Sequence, residues 1–195
     1  MRRDQLEHLI RAAGDILGVT EVTVIGSQAI LGTFPTGLPE AAVRSREADL
    51  LPSDDPEGAK ADLVEGALGE GSPFQESFGV YADGVGEHTA RLPRGWRDRL
   101  VPVCNDNTNG VTGWCLEPHD LCVSKLLAGR PKDHDFCRAL VRAGLVDPEL
   151  LLDRLDQLER STEERDRARA FVRGYARESA MDDPSEEEEE EESFY

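Results

Sequence analysis

The sequence of 195 residues is poor in the residue types that build disulfide-rich, zinc-binding or membrane proteins. It has four cysteines and four histidines, and no pair of cysteines has the CxxC spacing of common zinc and redox sites. A zinc site made of Cys115, His119, Cys122 and His134 is an alternative, but reduced and mostly buried thiols are favoured. No segment reaches the about 18 apolar residues of a membrane-spanning helix, and the first residues are amphipathic rather than a secretion signal. We therefore expect a soluble, cytoplasmic protein with no membrane partner.

Basic residues are scarce as well, with 22 lysines and arginines against 40 acids and a formal net charge of −18 at pH 7. Nine of the acids lie in residues 182–195, so the other 31 acids leave the body of the chain near −9. The tail contains seven consecutive glutamates, Glu186 to Glu192, which repel one another and cannot be buried. This composition predicts a disordered acidic tail at 181–195, with an acidic arm that fills a basic groove as the functional alternative. Nucleic-acid binding is not indicated, because any basic groove on such a body must be local.

The spacing of apolar residues predicts an α+β fold, in which a small mixed β-sheet flanked by helices precedes a C-terminal helical half. The predicted strands are 21–25, 47–51, 77–85, 87–93, 98–106 and 110–118. The predicted helices are 4–17, a short one at 28–32, 57–68, 119–129, 132–144, 148–158 and 162–178. We expect an α/β core over 1–116 and a helical extension packed on it over 117–180, followed by the tail.

Gly26 and Ser27 stand where the first predicted strand becomes a helix. A helix start offers unpaired backbone N–H groups to a phosphate, glycine lets the phosphate approach the backbone, and a serine hydroxyl adds a hydrogen bond. The chain has neither a GxxxxGK[ST] loop nor a GxGxxG motif after this strand. Taken alone, the pair is weak evidence, and a tight turn with Ser27 as the helix N-cap is favoured.

Glu47 and Asp49 are two residues apart in a predicted strand, so their carboxylates lie side by side on one face. Two neighbouring negative charges on a short apolar strand repel each other unless a cation lies between them. Mg²⁺ prefers oxygen ligands and is commonly held by one or two carboxylates together with substrate phosphates. A metal site is therefore one interpretation, and a solvated strand edge with two acids is the other.

In combination the motifs resemble those of the nucleotidyltransferase superfamily, which has the DNA polymerase β-like fold. The similarity is to its small bacterial members, which are related to abortive-infection toxins and minimal nucleotidyltransferases. It rests on three stretches, VIGSQAILG, SREADLLP and EPHDLCVSKLLAGRPKDHDF, and covers roughly residues 4 to 160. In those relatives a helix after the sheet carries a lysine, followed by a basic residue and an aspartate, which Lys125 and Lys132-Asp133 match.

The resemblance implies a nucleotide-binding role for five residues. Gly26 and Ser27 would hold the triphosphate, and Lys125 would contact it as a mobile point charge. Arg130 and Lys132 would be additional phosphate contacts. Charges exposed on a helix-turn-helix are the alternative for these three basic residues.

The resemblance also implies a catalytic group. Glu47 and Asp49 would bind Mg²⁺, and Asp133 would be an auxiliary catalytic or orienting acid beside Lys125. Many superfamily members have a third metal-binding carboxylate on a later strand. Asp83 is the available candidate, although the Asp-Gly pair equally marks a turn. Without Asp83 as a ligand, the site would bind metal weakly or would have lost catalysis.

We therefore expect a metal-dependent nucleotidyltransferase that moves a nucleoside monophosphate from a nucleoside triphosphate to a hydroxyl of RNA, protein or a small molecule. The acceptor, for example tRNA or a partner protein, is left open. The alternative is a catalytically silent nucleotide-binding protein or a toxin–antitoxin or defence partner on the same fold. Trp96, which stands among Arg94, Arg97 and Arg99, suits nucleic-acid stacking, but packing against the sheet is favoured.

Overall fold

The computed structural model describes residues 1–158 and 161–181, and the predicted acidic tail lies outside this part from residue 182 onward. Five strands form one sheet in the order β3-β2-β1-β5-β4. They are β1 Glu21–Val24, β2 Glu47–Leu51, β3 Tyr81–Gly84, β4 Val101–Val103 and β5 Thr112–Cys115. The pairs β1–β5 and β2–β3 are parallel, whereas β1–β2 and β4–β5 are antiparallel. The prediction of a small mixed sheet is confirmed.

Helices flank the sheet and make up the chain after it. They are α1 Arg3–Leu17, α2 Ile30–Thr33, α3 Glu40–Val43, α4 Ala59–Leu68, α5 Pro73–Phe78, α6 Pro118–Ala128, α7 Pro131–Arg142, α8 Pro148–Asp156 and α9 Thr162–Met181. A 3₁₀ turn, Ser27–Ala29, leads into α2. The helices α6, α7 and α8 each begin with proline, which lacks the N–H that a first helical residue leaves unpaired. The α+β prediction with a helical C-terminal half is confirmed, and no described helix has the length and apolarity to cross a membrane.

The two faces of the sheet differ in how deeply their side chains are buried. Along β1 and β2 the alternate residues Val22, Val24, Ala48 and Leu50 are buried, and α1 and α4 cover this face. Glu47 and Asp49 on β2 point the other way and are only half-buried. The second face is consequently open to carry polar side chains, and we call it the open face.

A fully buried carboxylate, Asp120 in α6, connects the sheet region with the helical half. Arg99, just before β4, donates to it from Nε at 2.8 Å and from Nη2 at 3.1 Å. Arg154 of α8 lies 3.4 Å from the same carboxylate. The buried core runs through both halves, and the boundary between 116 and 117 stays a prediction.

Two predicted strands differ from the structure. The first part of 77–85 is helical, because Ser72 caps the backbone N–H of Gln75 and Pro73 opens α5. The predicted strand 87–93 is wrong, since this stretch contains only a 3₁₀ turn, Glu87–Thr89. β3 and β4 lie at opposite edges of the sheet, so the chain between them has to cross the sheet rather than pair with a neighbour.

Candidate functional site

Three carboxylates meet on the open face, and we call Glu47, Asp49 and Asp83 the acid cluster. The parallel pairing of β2 and β3 sets Asp49 beside Asp83. Glu47, two residues before Asp49 on the same face, lies beside Tyr81. One carboxylate oxygen from each of the three lies within 4.8 Å of the others. The interpretation of Asp83-Gly84 as a turn is wrong, because both residues belong to β3.

Without a cation, the carboxylates of the acid cluster repel one another. Burial and the neighbouring charge of Glu47 raise the pKa of Asp49 from 3.8 to about 6, against the opposing effect of Lys125. Burial and Glu47 likewise raise the pKa of Asp83 to about 7. A cation between the carboxylates would relieve this repulsion, and an all-oxygen donor set suits a hard ion such as Mg²⁺. The residues present therefore fit a magnesium ion.

The carboxylate of Asp49 occupies the space in which any residue other than glycine at position 26 would place its Cβ. A Cβ at position 26 would be 1.4 Å from the Asp49 carboxylate oxygen Oδ2 and 2.4 Å from Cγ. Only a glycine leaves room for this carboxylate beside the strand-to-helix junction. Gly26 itself is the N-cap of the 3₁₀ turn and Ser27 is its first residue, so the expectation of Ser27 as N-cap is wrong.

Ser27 is joined to α6 by a buried lysine. Lys125 donates from Nζ to Ser27 Oγ at 2.7 Å and to Asp133 Oδ1 at 3.1 Å. The same Nζ lies 4.5 Å from the centre of the Phe136 ring, where the π face attracts a cation. The lysine is thereby fixed beside the start of the 3₁₀ turn, Ser27–Ala29.

Asp133, near the start of α7, is fully buried between two cations. Arg130 donates to it from Nε at 2.6 Å and from Nη2 at 3.2 Å, in addition to the contact from Lys125. Burial alone would raise the pKa of Asp133, but the hydrogen bond from Arg130 and the charge of Lys125 outweigh burial and lower it. Asp133 therefore stays ionised and holds the two basic side chains.

These residues surround a cavity of about 380 Å³, which we call the basic cavity. Seven of the predicted site residues line it: Gly26, Ser27, Glu47, Asp49, Lys125, Arg130 and Lys132. Asp83 lies beside Asp49, and Asp133 is buried behind Lys125. The structure thus brings the predicted residues together, while their roles stay predictions.

The site also contains residues that the sequence did not indicate. Thr89, Ala90 and Arg91 also line the basic cavity, and they come from the stretch wrongly predicted as a strand. Tyr81 donates its hydroxyl to Glu47 Oε2 at 3.3 Å and so helps to orient that carboxylate. Its position opposite Glu47 in β3 becomes visible only when the register of the two strands is known.

The zinc alternative is wrong for the described residues. Among them, the acid cluster is the one group of three or more histidine, cysteine or acidic side chains close enough to share a metal ion. His134 Nδ1 instead lies 2.7 Å from the Tyr175 hydroxyl, and His119 Nε2 accepts the backbone N–H of Asp147. Cys115, Cys122 and Cys137 are free and buried, as expected for reduced thiols.

Comparison with protein families identifies a match over most of the chain. A family described as "Nucleotidyltransferase of unknown function (DUF6036)" matches residues 4–182, which is most of the chain. No curated protein and no solved structure matches. The match agrees with the carboxylates of β2 and β3 and with the glycine-serine junction beside them. The chain therefore belongs to the nucleotidyltransferases of the family DUF6036.

Proposed function

We propose that this protein is a metal-dependent enzyme that transfers a nucleoside monophosphate from a nucleoside triphosphate to an acceptor hydroxyl. The observation that supports this proposal is the position of two oppositely charged groups around one cavity. The acid cluster borders a cavity that is lined by Lys125, Arg130 and Lys132. Carboxylates that hold a cation, next to side chains that attract phosphate, are what nucleotidyl transfer requires.

The phosphates would lie at the glycine-serine junction. The 3₁₀ turn that starts at Ser27 would present backbone N–H groups to them. Lys125 Nζ already faces this point through its bond to Ser27 Oγ. Arg130 and Lys132 are exposed at the mouth of the cavity and would neutralise further phosphate charge.

Glu47, Asp49 and Asp83 would hold the Mg²⁺ ion. When bound, Mg²⁺ neutralises charge on the triphosphate and lowers the pKa of the attacking hydroxyl. Tyr81 keeps one oxygen of Glu47 directed by its hydrogen bond. Gly26 keeps the space in which the carboxylate of Asp49 lies.

In the transfer, the acceptor oxygen forms a bond to the α-phosphorus. The bond from that phosphorus to the bridging oxygen of the β-phosphate breaks, pyrophosphate leaves, and the hydroxyl proton passes to water. Lys125 and Arg130 stabilise negative charge on the phosphates during this step. Asp133 is a positioning residue in this scheme, because its carboxylate is fully buried and accepts hydrogen bonds from both basic side chains.

The proposal is tested by label transfer. Purified protein is incubated with cell extract, Mg²⁺ and each of the four NTPs labelled at the α-phosphate. Asp49→Asn, which keeps the side-chain shape, should lower transfer at least about 100-fold because it removes one of the proposed metal ligands. Asp153→Asn removes an exposed charge of α8 and should leave transfer unchanged. Transfer that survives both Asp49→Asn and chelation of the metal contradicts the proposal.

The silent nucleotide-binding alternative loses the argument from a missing third carboxylate. Asp83 lies in β3 beside Asp49 rather than in a turn. The toxin–antitoxin role and the cytoplasmic location stay predictions.

A further inference from the structure

The open face carries a second and larger cavity next to the acid cluster. This trough has a volume of about 1140 Å³. Leu51 and Val85, which line it, each follow a carboxylate of the cluster, Asp49 or Asp83, by two residues. Because residues two apart in a strand share a face, Leu51 lies next to Asp49 on the open face, and Val85 directly follows β3, so the trough starts beside the acid cluster.

The charge of the trough is opposite to that of the basic cavity. Its charged lining consists of Glu21, Asp54, Asp55, Glu57 and Glu87, with Arg97 and His88 as the basic or titratable groups. Arg97 forms an ion pair with Glu87, so four acids remain as an excess. A nucleic acid laid in this trough would bring its phosphates against these carboxylates. A positively charged ligand is complementary to them.

Two indole rings add surfaces that attract cations. Trp96 and Trp114 both line the trough, and they are the two tryptophans of the chain. Trp114 Nε1 donates to Glu21 Oε2 at 2.8 Å, which fixes that ring beside a carboxylate. The guanidinium of Arg97 lies 4.4 Å from the centre of the Trp96 ring, a contact of the kind that a basic ligand would make.

We infer that the trough is the acceptor site and that the acceptor is a segment of protein rich in lysine and arginine with a side-chain hydroxyl. This inference rests on the proposed function. The trough is open and slightly larger than the about 300–1,000 Å³ of typical small-molecule sites, which favours an extended polypeptide. The hydroxyl oxygen of the segment would bond to the α-phosphorus, with pyrophosphate leaving and the proton passing to water.

Binding can be measured apart from turnover. Both tryptophans lie in the trough, so their fluorescence should change on addition of a serine-containing peptide rich in lysine and arginine. The same peptide with glutamine at every basic position is the matched ligand control, and single-stranded RNA is the competing acceptor. We expect the basic peptide to bind at least about tenfold more tightly than the glutamine peptide, with affinity falling as salt rises.

A double variant, Asp54→Asn with Glu57→Gln, removes two exposed charges of the trough. Asn is suitable at position 54 because the backbone there has φ of 53°. The KM for the basic peptide should rise about tenfold while kcat and NTP binding stay unchanged. The control variant, Glu149→Gln with Asp153→Asn on α8, makes the same change in net charge at exposed sites outside the trough and should leave the KM unchanged.

The outcomes separate the two proposals. Preferred labelling of RNA or of the glutamine peptide, or an unchanged KM in the Asp54→Asn, Glu57→Gln variant, overturns the acceptor site while the nucleotidyltransferase remains. Failure of the wild type to bind any Mg-NTP by calorimetry overturns the proposed function and with it the acceptor site.

Discussion

The acid cluster beside the basic cavity and the carboxylate of Asp133, buried behind Lys125, have opposite surroundings. Asp133 is fully buried, yet Lys125 and Arg130 donate to it and its pKa lies below the ordinary value. Asp49 and Asp83 are half-buried, yet they face other acids and their pKa values rise to about 6 and about 7. Burial by itself therefore does not decide how these groups titrate.

Under the proposed function, Asp133 serves the fold and the acid cluster serves a ligand. A buried charge with fixed partners is costly to disrupt and contributes to one defined arrangement. A group of like charges without a base between them destabilises the folded protein until a cation binds. The comparison makes three predictions, from the largest expected effect to the smallest.

Asp133→Asn should produce the largest loss of stability. It keeps the shape of the side chain but leaves buried Lys125 without its anionic partner, so the free energy of unfolding should fall by about 3 kcal/mol. Asp135→Asn, on the same helix, is the control, because Asp135 is 60% exposed and 3.7 Å from Arg138. Its effect should stay within about 0.5 kcal/mol. Equal effects in urea denaturation would contradict the assigned role of Asp133.

Asp83→Asn should change the free energy of unfolding in the opposite direction, as a gain of stability above the pKa of Asp83. Because the folded state holds the Asp83 proton more tightly than the unfolded state, the stability from this group is complete below pH 3.8 and is lost as the pH rises through about 7. Without metal, the wild type should lose about 1–2 kcal/mol between about pH 5 and pH 8, discounted for partial solvent exposure. Asp83→Asn should reduce this loss, and the part that remains belongs to Asp49, whose pKa is raised to about 6.

Thermal unfolding at both pH values, with and without Mg²⁺, measures the effect. Mg²⁺ should raise the Tm of the wild type more at the higher pH, and it should raise the Tm of Asp83→Asn less. A wild-type protein whose stability does not change with pH across this range would show that the acid cluster is not repulsive.

Ser27→Ala should have the smallest effect and should act on the ligand rather than the fold. It removes the hydroxyl that accepts the 2.7 Å hydrogen bond from Lys125. We expect affinity for Mg-ATP or Mg-GTP to fall about fivefold, near 1 kcal/mol. Ser124→Ala changes a second serine that lines the basic cavity and is the control in calorimetry. Equal losses of affinity in both variants would remove the special role of Ser27.

Much of the site could be predicted from the sequence because its parts are local. The spacing of Glu47 and Asp49 in a strand, and the position of Gly26-Ser27 at a strand-to-helix junction, follow from chain periodicity. The clustering of the basic side chains followed from the family resemblance. The ion pairs between Lys125, Arg130 and Asp133 span only eight residues of sequence, within two successive helices.

The features that could not be predicted depend on pairing between segments that are distant in the sequence. That Asp83 lies beside Asp49 is a matter of strand register, which the Asp-Gly pair could not reveal. The crossing of residues 86–100 over the open face follows from β3 and β4 lying at opposite edges of the sheet, and sequence patterns do not encode strand order. The wrong strand at 87–93 and the omission of Arg91 have this one cause.

β3 is an edge strand, so the three carboxylates of the acid cluster are not held equally firmly by the sheet. Glu47 and Asp49 belong to β2, which is paired on both sides, whereas Asp83 belongs to β3, which among the described strands is paired only with β2. Edge strands fray more readily than inner strands, so transient opening of β3 separates one carboxylate from the other two. Any cation shared by all three would tie the edge to its neighbour. If the acid cluster holds a cation, backbone amide exchange in β3 should slow when that cation binds, so exchange at this sheet edge reports whether the site is occupied.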